Sequence, residues 1–472
     1  MFLGRKNELL LLGQLWEAEK AKLVVCQGRR RIGKSTLIKE FSKTSRHFFS
    51  FQGLAPRAHQ KEHNQLKHFY AELNQYADVR EPANASWPMA FSDLAKAIGS
   101  QKKVLIFLDE ISWMAQHSPD FAGYLKIAWD NLFSKKNNLI LVLCGSVSTW
   151  IEENILSSTG FVGRVSLSIG LDELSLIDSV QLLSNKNEYE KIRTLCLTGG
   201  VPKYLEEFNG KLSLRENTQR LFFSKEGFLF KDFDRIFNDI FLKKSDTYRE
   251  IAQTLIEKRK TISEIAKSLK IKRGGLLGKY LRDLVLSGFL AEDFLYSPGG
   301  KKNKTSYFRI KDNYLRFYLK YIYPKKVQIE SHQPFRSGVE SLPGWESILG
   351  LQFENLILNN KELIFKSLRV DPSHVKSASS YFQKKTVRNR GACQIDLLIE
   401  TNGFELIICE IKQRQNLSTS IIKEIESKKK LLKRPRHYTV RTALIYFGEL
   451  RNPEDFKSKI DFLISIEEML SL

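Results

Sequence analysis

The 472 residues contain no apolar run of membrane-spanning length. The densest runs are VLIFL at 104–108, LILVLC at 139–144 and LIIC at 406–409. These are of strand length, against the roughly 20 residues that a spanning helix needs. The opening NELLLLGQLWEAEK is broken by polar residues and has no cleavage site, so no signal peptide is expected. Cysteine is scarce: five are scattered along the chain, which argues against a disulfide framework and for reduced thiols in a cytoplasm. No C-x-x-C pair occurs, which argues against a zinc site. No segment repeats at a fixed period, and a solenoid is not expected. Acid is in short supply: 53 Asp and Glu face 75 Lys and Arg, leaving a net charge of +22 and a pI near 9.6. Such a chain is drawn to polyanions. Nucleic acid, DNA above all, is the first candidate and an anionic membrane surface the second; with strand-length apolar runs alone, no membrane partner is expected. The length suggests two to four domains.

What is present begins with LVVCQGRRRIGKSTLIKEF at 23–41, which reads as strand, tight loop and helix. Gly28 to Ser35 fits G-x-x-x-x-G-K-S. Glycines let backbone wrap a phosphate, and successive N–H groups point inward at the mouth of the helix. The cradle would comprise Gly28, Arg29, Arg30, Arg31, Ile32, Gly33, Lys34, Ser35 and Thr36. Lys34 would reach the β- and γ-phosphates of ATP, and the Ser35 hydroxyl would hold Mg²⁺. KVLIFLDE at 103–110 is an apolar strand ending in acid. Asp109 would hold Mg²⁺ through water, and Glu110 would orient or activate the attacking water. Two solvated acids at a strand end are the plainer reading of that motif alone; beside the glycine loop the catalytic reading gains. Further strands are expected at HFFSFQG (47–53), NLILVLCGSV (138–147, ending at Ser146) and RVSLSIG (164–170). Strands alternating with helical stretches predict a doubly wound parallel sheet.

These motifs resemble the archaeal-type ATPases, a branch of the signal-transduction and AAA-like P-loop ATPases. The resemblance rests on FLGRKNEL (2–9), GRRRIGKS (28–35), LDE (108–110), CGS (144–146), GR (163–164) and TGGVPKYLEEF (198–208), and covers about residues 1–245. It implies that Arg5, with Gly4 and Glu8, lies near the nucleotide base. It also implies that Ser146 senses the γ-phosphate and that Gly199, Gly200 and Pro202 belong to a helical lid. Arg164 becomes a candidate γ-phosphate contact in its own or a neighbouring subunit, which would make a homo-oligomer; a surface arginine ending a loop is the alternative. The domains expected are an ATPase core at 1–170, a lid at 171–245, a winged helix-turn-helix at 246–325, a linker at 326–345 and a nuclease-like domain at 346–472.

The winged helix is read from residues 247–293. A helix runs from about Tyr248 to Glu257, a second is capped by Thr261 with Glu264 three residues on, and a third begins near Arg273. Ile265, Leu269, Leu277, Leu281 and Leu284 form an apolar stripe. SPGGKKNKTSYFRI supplies a basic wing. Lys272, Lys279 and Arg282 can share one face, suited to phosphates beside a major groove. A lid or docking surface is the alternative. The aromatic helix in RIKDNYLRFYLKYIYP (309–324) continues the resemblance and is expected to pack rather than stack on bases.

After a proline-, glycine- and serine-containing stretch comes a helix carrying Glu354. A strand with Asp396 follows, then FELIICEIK (404–412), then a helix near 419–432 and a late strand at 442–450. Glu410 and Lys412, two residues apart on a strand, point the same way. Asp396 followed by Glu410-x-Lys412 resembles the PD-(D/E)xK nucleases, with Ile395 in place of the proline. That resemblance implies an α/β restriction-endonuclease-like domain. Asp396 and Glu410 would bind Mg²⁺, with the Ile411 carbonyl a further ligand, Lys412 would position water or stabilise charge, and Glu354 would complete the set. A Glu-x-Lys at a strand end is common in itself. Lys384, Lys385, Arg388, Arg390 and the KKKLLKRPR run (428–436) would form a phosphate track or a solvated face. The sequence therefore predicts a multidomain α/β ATPase that binds DNA and cleaves it with a C-terminal metal site. The alternative is a regulatory ATPase whose C-terminal domain binds DNA or protein without cutting.

Overall fold

The computed structural model describes residues 2–55, 61–146, 149–241, 244–272, 274–296, 298–299, 302–331, 338–383 and 391–472. Lys384, Lys385, Arg388 and Arg390, the expected helix start at Arg273 and residues 332–337 of the expected linker lie outside them. The chain divides into two compact units, Met1–Leu174 and Ser175–Leu472. Among the described residues no helix is long and apolar enough to cross a membrane.

The first unit is built on β1 (Lys22–Gly28), β2 (His47–Gln52), β3 (Val104–Asp109), β4 (Leu139–Ser146) and β5 (Val165–Leu171). All pair in parallel, in the order β2-β3-β4-β1-β5. Every residue of β3 is buried, as are the first seven of β4. A strand covered by helices on both faces has no solvent side, which is why these runs are continuously apolar. Trp87, Phe91 and Phe121 interlock, the Trp87 and Phe121 rings edge-on at 4.7 Å. Parallel pairing brings carboxyl ends of strands together, and Gly28 lies opposite Ser146. The crevice at that edge is where an open α/β sheet binds its ligand.

The second unit opens with the helices Leu176–Leu182, Glu188–Thr198, Pro202–Glu206, Leu214–Phe222 and Phe228–Phe241. Three helices follow, Ser245–Gln253, Ile262–Ser268 and Gly275–Leu286, and then the antiparallel hairpin β6 (Leu290–Tyr296) and β7 (Lys302–Ile310). Thr261 caps its helix reciprocally with Glu264. Ile265, Leu277, Leu281 and Leu284 are buried, while Lys272, Lys279 and Arg282 are exposed. The aromatic helix is core: Tyr318 stacks on Phe233 at 4.0 Å and Phe317 meets Phe222 edge-on at 5.0 Å. Within the stretch read as a linker, Ile329, Val339 and Leu342 are buried.

A mixed sheet closes the chain: β8 (Val375–Gln383), β9 (Cys393–Thr401), β10 (Glu405–Leu417), β11 (Thr439–Leu450) and β12 (Phe462–Ser465). Its order is β12-β11-β10-β9-β8. β8, β9 and β10 are antiparallel neighbours; β10, β11 and β12 are parallel. The parallel steps need crossovers, supplied by the helices Ser420–Leu431 and Pro453–Lys459. Gly448 sits where β10 shifts register between Gln413 and Asn416, with φ at +127°. A Cβ there would lie 1.8 Å from the Arg414 carbonyl oxygen. Gly448→Ala is therefore expected to cost about 3 kcal/mol or more, from strain and overlap together. Denaturant unfolding of the two proteins checks this, and equal midpoints would refute it.

Candidate functional site

At the carboxyl edge of the parallel sheet, Gly28 ends β1 so close to Leu171 that a Cβ would approach its carbonyl oxygen to 2.5 Å. Arg31 and Gly33 take left-handed φ values of 72° and 93°, and the helix Lys34–Ser42 begins at once. A helix start offers unpaired N–H groups and a positive dipole end to an anion. Lys34 is 6% exposed and folds back to donate to the carbonyl oxygens of Gly28 at 2.9 Å and Arg29 at 3.1 Å. Ser35 Oγ donates to Asp109 Oδ2 at 2.6 Å, and Asp109 Oδ1 accepts the Glu110 N–H at 3.0 Å. Glu110 is left-handed at φ 50°, and its carboxylate accepts from the Ser146 N–H at 3.3 Å and Oγ at 3.4 Å. Lys34, Ser35, Asp109, Glu110 and Ser146 are thus assembled in one place from the ends of three strands.

The remaining residues that the sequence assigned to this site divide. Arg5 donates to the Ile32 carbonyl at 3.2 Å and the Asp172 carbonyl at 2.5 Å, tying the start of the chain to the loop. Arg29 lies 3.6 Å from Glu173, Arg30 stands 5.7 Å from the Trp113 ring centre, Ile32 is fully buried and Thr36 lies in the helix. Arg164 is engaged elsewhere, forked onto Asp130 at 2.7 and 2.9 Å. That bond holds the Asp130 carboxyl down to about 2. Pro202 opens a helix in the second unit, after Gly199 at φ 65°. Burial raises the Glu110 carboxyl, opposed by the nearby Lys34 charge. The donor set fits a nucleotide with a hard divalent ion: Lys34 is bonded to neutral oxygens alone, while Ser35 and Asp109 present adjoining oxygens.

A second cluster lies on the mixed sheet. Glu410 and Lys412 share a face of β10, with Lys412 Nζ 3.0 Å from Glu410 Oε2 and 4.0 Å from Asp396 Oδ2 on β9. Asp396 Oδ2 accepts the Ile411 N–H at 3.0 Å. Helix Ser420–Leu431 adds Lys428 at 2.6 Å from Glu410, and Glu424 at 3.2 Å from Lys412 and 2.8 Å from Lys428. Glu410 is fully buried and its Oε1 has no hydrogen-bond partner. Glu354 is gripped by the Arg259 guanidinium, which also donates to Ser380 Oγ at 2.7 Å; Ser380 Oγ in turn donates to the Asp396 carbonyl at 2.8 Å. Among the described residues no three His, Cys, Asp or Glu side chains already form a metal cage. Burial, then repulsion from Asp396, pushes the Glu410 carboxyl up to about 7 against the pull of Lys412. Burial alone would lower Lys412, but Asp396, Glu410 and Glu424 outweigh it and raise it. Burial and then Asp396 raise Glu354.

The family described as an ATPase domain predominantly from Archaea matches residues 2–208. The chain carries an archaeal-type ATPase domain. The match runs beyond Leu174 into the opening helices of the second unit. An uncharacterized protein of Methanocaldococcus jannaschii is 25% identical over 378 residues, 78% of this chain and 81% of its own. An uncharacterized ATP-binding protein of that organism is 51% identical over 41 residues, 9% of this chain and 70% of its own. Among solved structures, the Walker-type ATPase of Pyrococcus abyssi superposes with a TM-score of 0.50 at 17% identity, over 67% of this chain and 96% of its own. At that identity the likeness is one of fold.

The motif residues Lys34, Ser35, Asp109, Glu110 and Ser146 lie together, whereas partners set by contact between distant elements were not named from the sequence. Lys428 sat in a basic run read as a track, yet it lies four residues after Glu424, the spacing that pairs charges on one helix face. Arg259 and Asp130 carried no local signal.

Proposed function

We propose that the archaeal-type ATPase domain serves a DNA-binding protein whose C-terminal sheet is a metal-dependent nuclease. One observation carries the reading: Asp396, Glu410 and Lys412 converge across β9 and β10, and the buried Oε1 of Glu410 has no partner. A buried acceptor without a donor is costly, and a divalent cation is the partner that would offset it. Asp396 and Glu410 would hold Mg²⁺, which lowers the pKa of a bound water and polarises the phosphodiester. Lys412 would position that water, and Glu354 would join once released from Arg259. Helix Gly275–Leu286 with exposed Lys279 and Arg282, followed by a hairpin, supports a winged helix-turn-helix on DNA phosphates. Arg164 would reach a γ-phosphate, its own or a neighbour's, on leaving Asp130. ATP binding would act through the lid around Gly199, Gly200 and Pro202, and hydrolysis at Asp109 and Glu110 would reset it.

A second reading draws on the ion pairs themselves. Lys412 and Lys428 both neutralise Glu410 and Arg259 occupies Glu354, as in a regulatory ATPase whose C-terminal domain binds without cutting. The deciding experiment is Mg²⁺- or Mn²⁺-dependent cleavage of labelled single-stranded, duplex and branched DNA by wild type and Lys412→Ala. A nuclease loses cleavage in the variant and keeps DNA binding. No cleavage by wild type, with ATP hydrolysis intact, establishes the second reading.

A further inference from the structure

Beside the Glu354 carboxylate, within the second unit, lies a cavity of about 20 Å³ lined by Lys258, Arg259, Arg309, Arg316, Glu354 and Asn355, closed by leucines. Four of these residues are cations, and Glu354 is the one carboxylate among the described lining residues. Two of the guanidiniums are paired: Arg259 with Glu354, and Arg309 with Asp293 at 3.0 Å. Arg316 is different. It is 4% exposed, and its hydrogen bonds run to the Leu351 carbonyl at 3.1 Å, Gln352 Oε1 at 2.9 Å and the Ile310 carbonyl at 3.2 Å. All three acceptors are neutral, and Arg316 Nε has no partner. Burial lowers the guanidinium to about 9. The Glu354 and Asp312 carboxylates oppose that effect and the Arg309 and Arg259 charges add to it; a buried charge that keeps an unbonded N–H is destabilising. An anion in the cavity would supply the missing acceptor.

We propose that this cavity is a phosphoryl-binding site, taking inorganic phosphate or the terminal phosphate of a nucleic acid. A guanidinium N–H donates to the oxygen of a tetrahedral anion, and the buried Arg316 Nε–H has no acceptor yet, on a wall that Arg259 and Arg309 also line. A dianion balances the excess of cations better than a monoanion. The volume suits one compact group and excludes a nucleoside. Lys258 is exposed at the mouth, where its flexible stem can fold over an entering ligand. The proposal does not depend on cleavage of DNA.

The test uses the full chain carrying Lys34→Ala, so that the P-loop is weakened as a competing phosphate site. Inorganic phosphate is titrated by calorimetry and by thermal unfolding at fixed ionic strength, with acetate as the monoanion control. One equivalent of phosphate is expected to bind and raise Tm where acetate does not. Adding Arg316→Met should weaken binding about tenfold or more, and Lys258→Ala, which removes a surface cation only, several-fold. Should Arg316→Met fail to fold, Lys258→Ala decides alone. No phosphate binding by the Lys34→Ala chain, or equal affinity in the folded variants, overturns the proposal. Competition by a 5′-phosphorylated oligonucleotide and not by its dephosphorylated twin assigns the ligand to a nucleic-acid end. Competition by neither assigns it to free phosphate.

Discussion

Lys34→Ala is expected to reduce ATP hydrolysis by about 10²–10³-fold or more, the scale on which one preorganised charge-stabilising donor acts. Its ammonium is nearly buried, bonded to two carbonyl oxygens and no carboxylate. It can therefore swing to phosphate without breaking an ion pair. Glu110→Gln is the informative companion. Glu110 lies beside Asp109 and is held by Ser146, so Gln preserves shape and hydrogen-bonding capacity while removing the base. Nucleotide affinity should survive in Glu110→Gln and fall in Lys34→Ala, while hydrolysis falls in both. Equilibrium binding of a fluorescent nucleotide and steady-state phosphate release separate the two effects. Hydrolysis at the wild-type rate in Glu110→Gln would remove Glu110 from the reaction.

On the proposed nuclease reading, Asp396→Asn is expected to abolish metal-dependent DNA cleavage, a loss of about 10³-fold or more, while leaving ATP hydrolysis intact. The substitution keeps the volume of the side chain and its bond from the Ile411 N–H, so loss of the ion is separable from loss of the fold. Glu410 then sets the pH dependence. Its folded value of about 7 stands above the ordinary 4.5, so between those values the folded, metal-free chain holds a proton that the unfolded chain has released. Stability of the metal-free protein therefore falls as pH rises through that window. A divalent ion must displace the proton below about 7, so its affinity should fall about tenfold for each pH unit below that point and level off above it. Mn²⁺ binding measured from pH 5.5 to 8, wild type against Glu410→Gln, checks the slope. A flat wild-type profile would mean that Glu410 does not ligate the ion.

The two sites were not equally legible before the fold was known. Gly28–Ser35 is a local device: the glycines, lysine and serine lie within one turn of chain, so spacing alone fixes their relation. The Glu410–Lys412 pair is local for the same reason, because alternation on a strand puts both on one face. The aromatic helix could be assigned to packing from its composition, and Phe233 and Phe222 are the partners it found.

Contacts that join distant segments were decided by tertiary structure alone. Arg164 ends a loop in the sequence, and the fold places it on Asp130, 34 residues away. Glu354 reads as one acid on an amphipathic helix, and it is the approach of Arg259 from 95 residues away that claims it. Arg316 reads as a cation in an aromatic stretch, and burial against the helix Trp345–Leu358 makes it a charge bonded to neutral oxygens. The physical reason is common to all three. Propensity and periodicity act over one or two turns of chain, whereas a charge takes its partner, its dielectric surroundings and its proton from whatever the folded chain brings within a few ångströms.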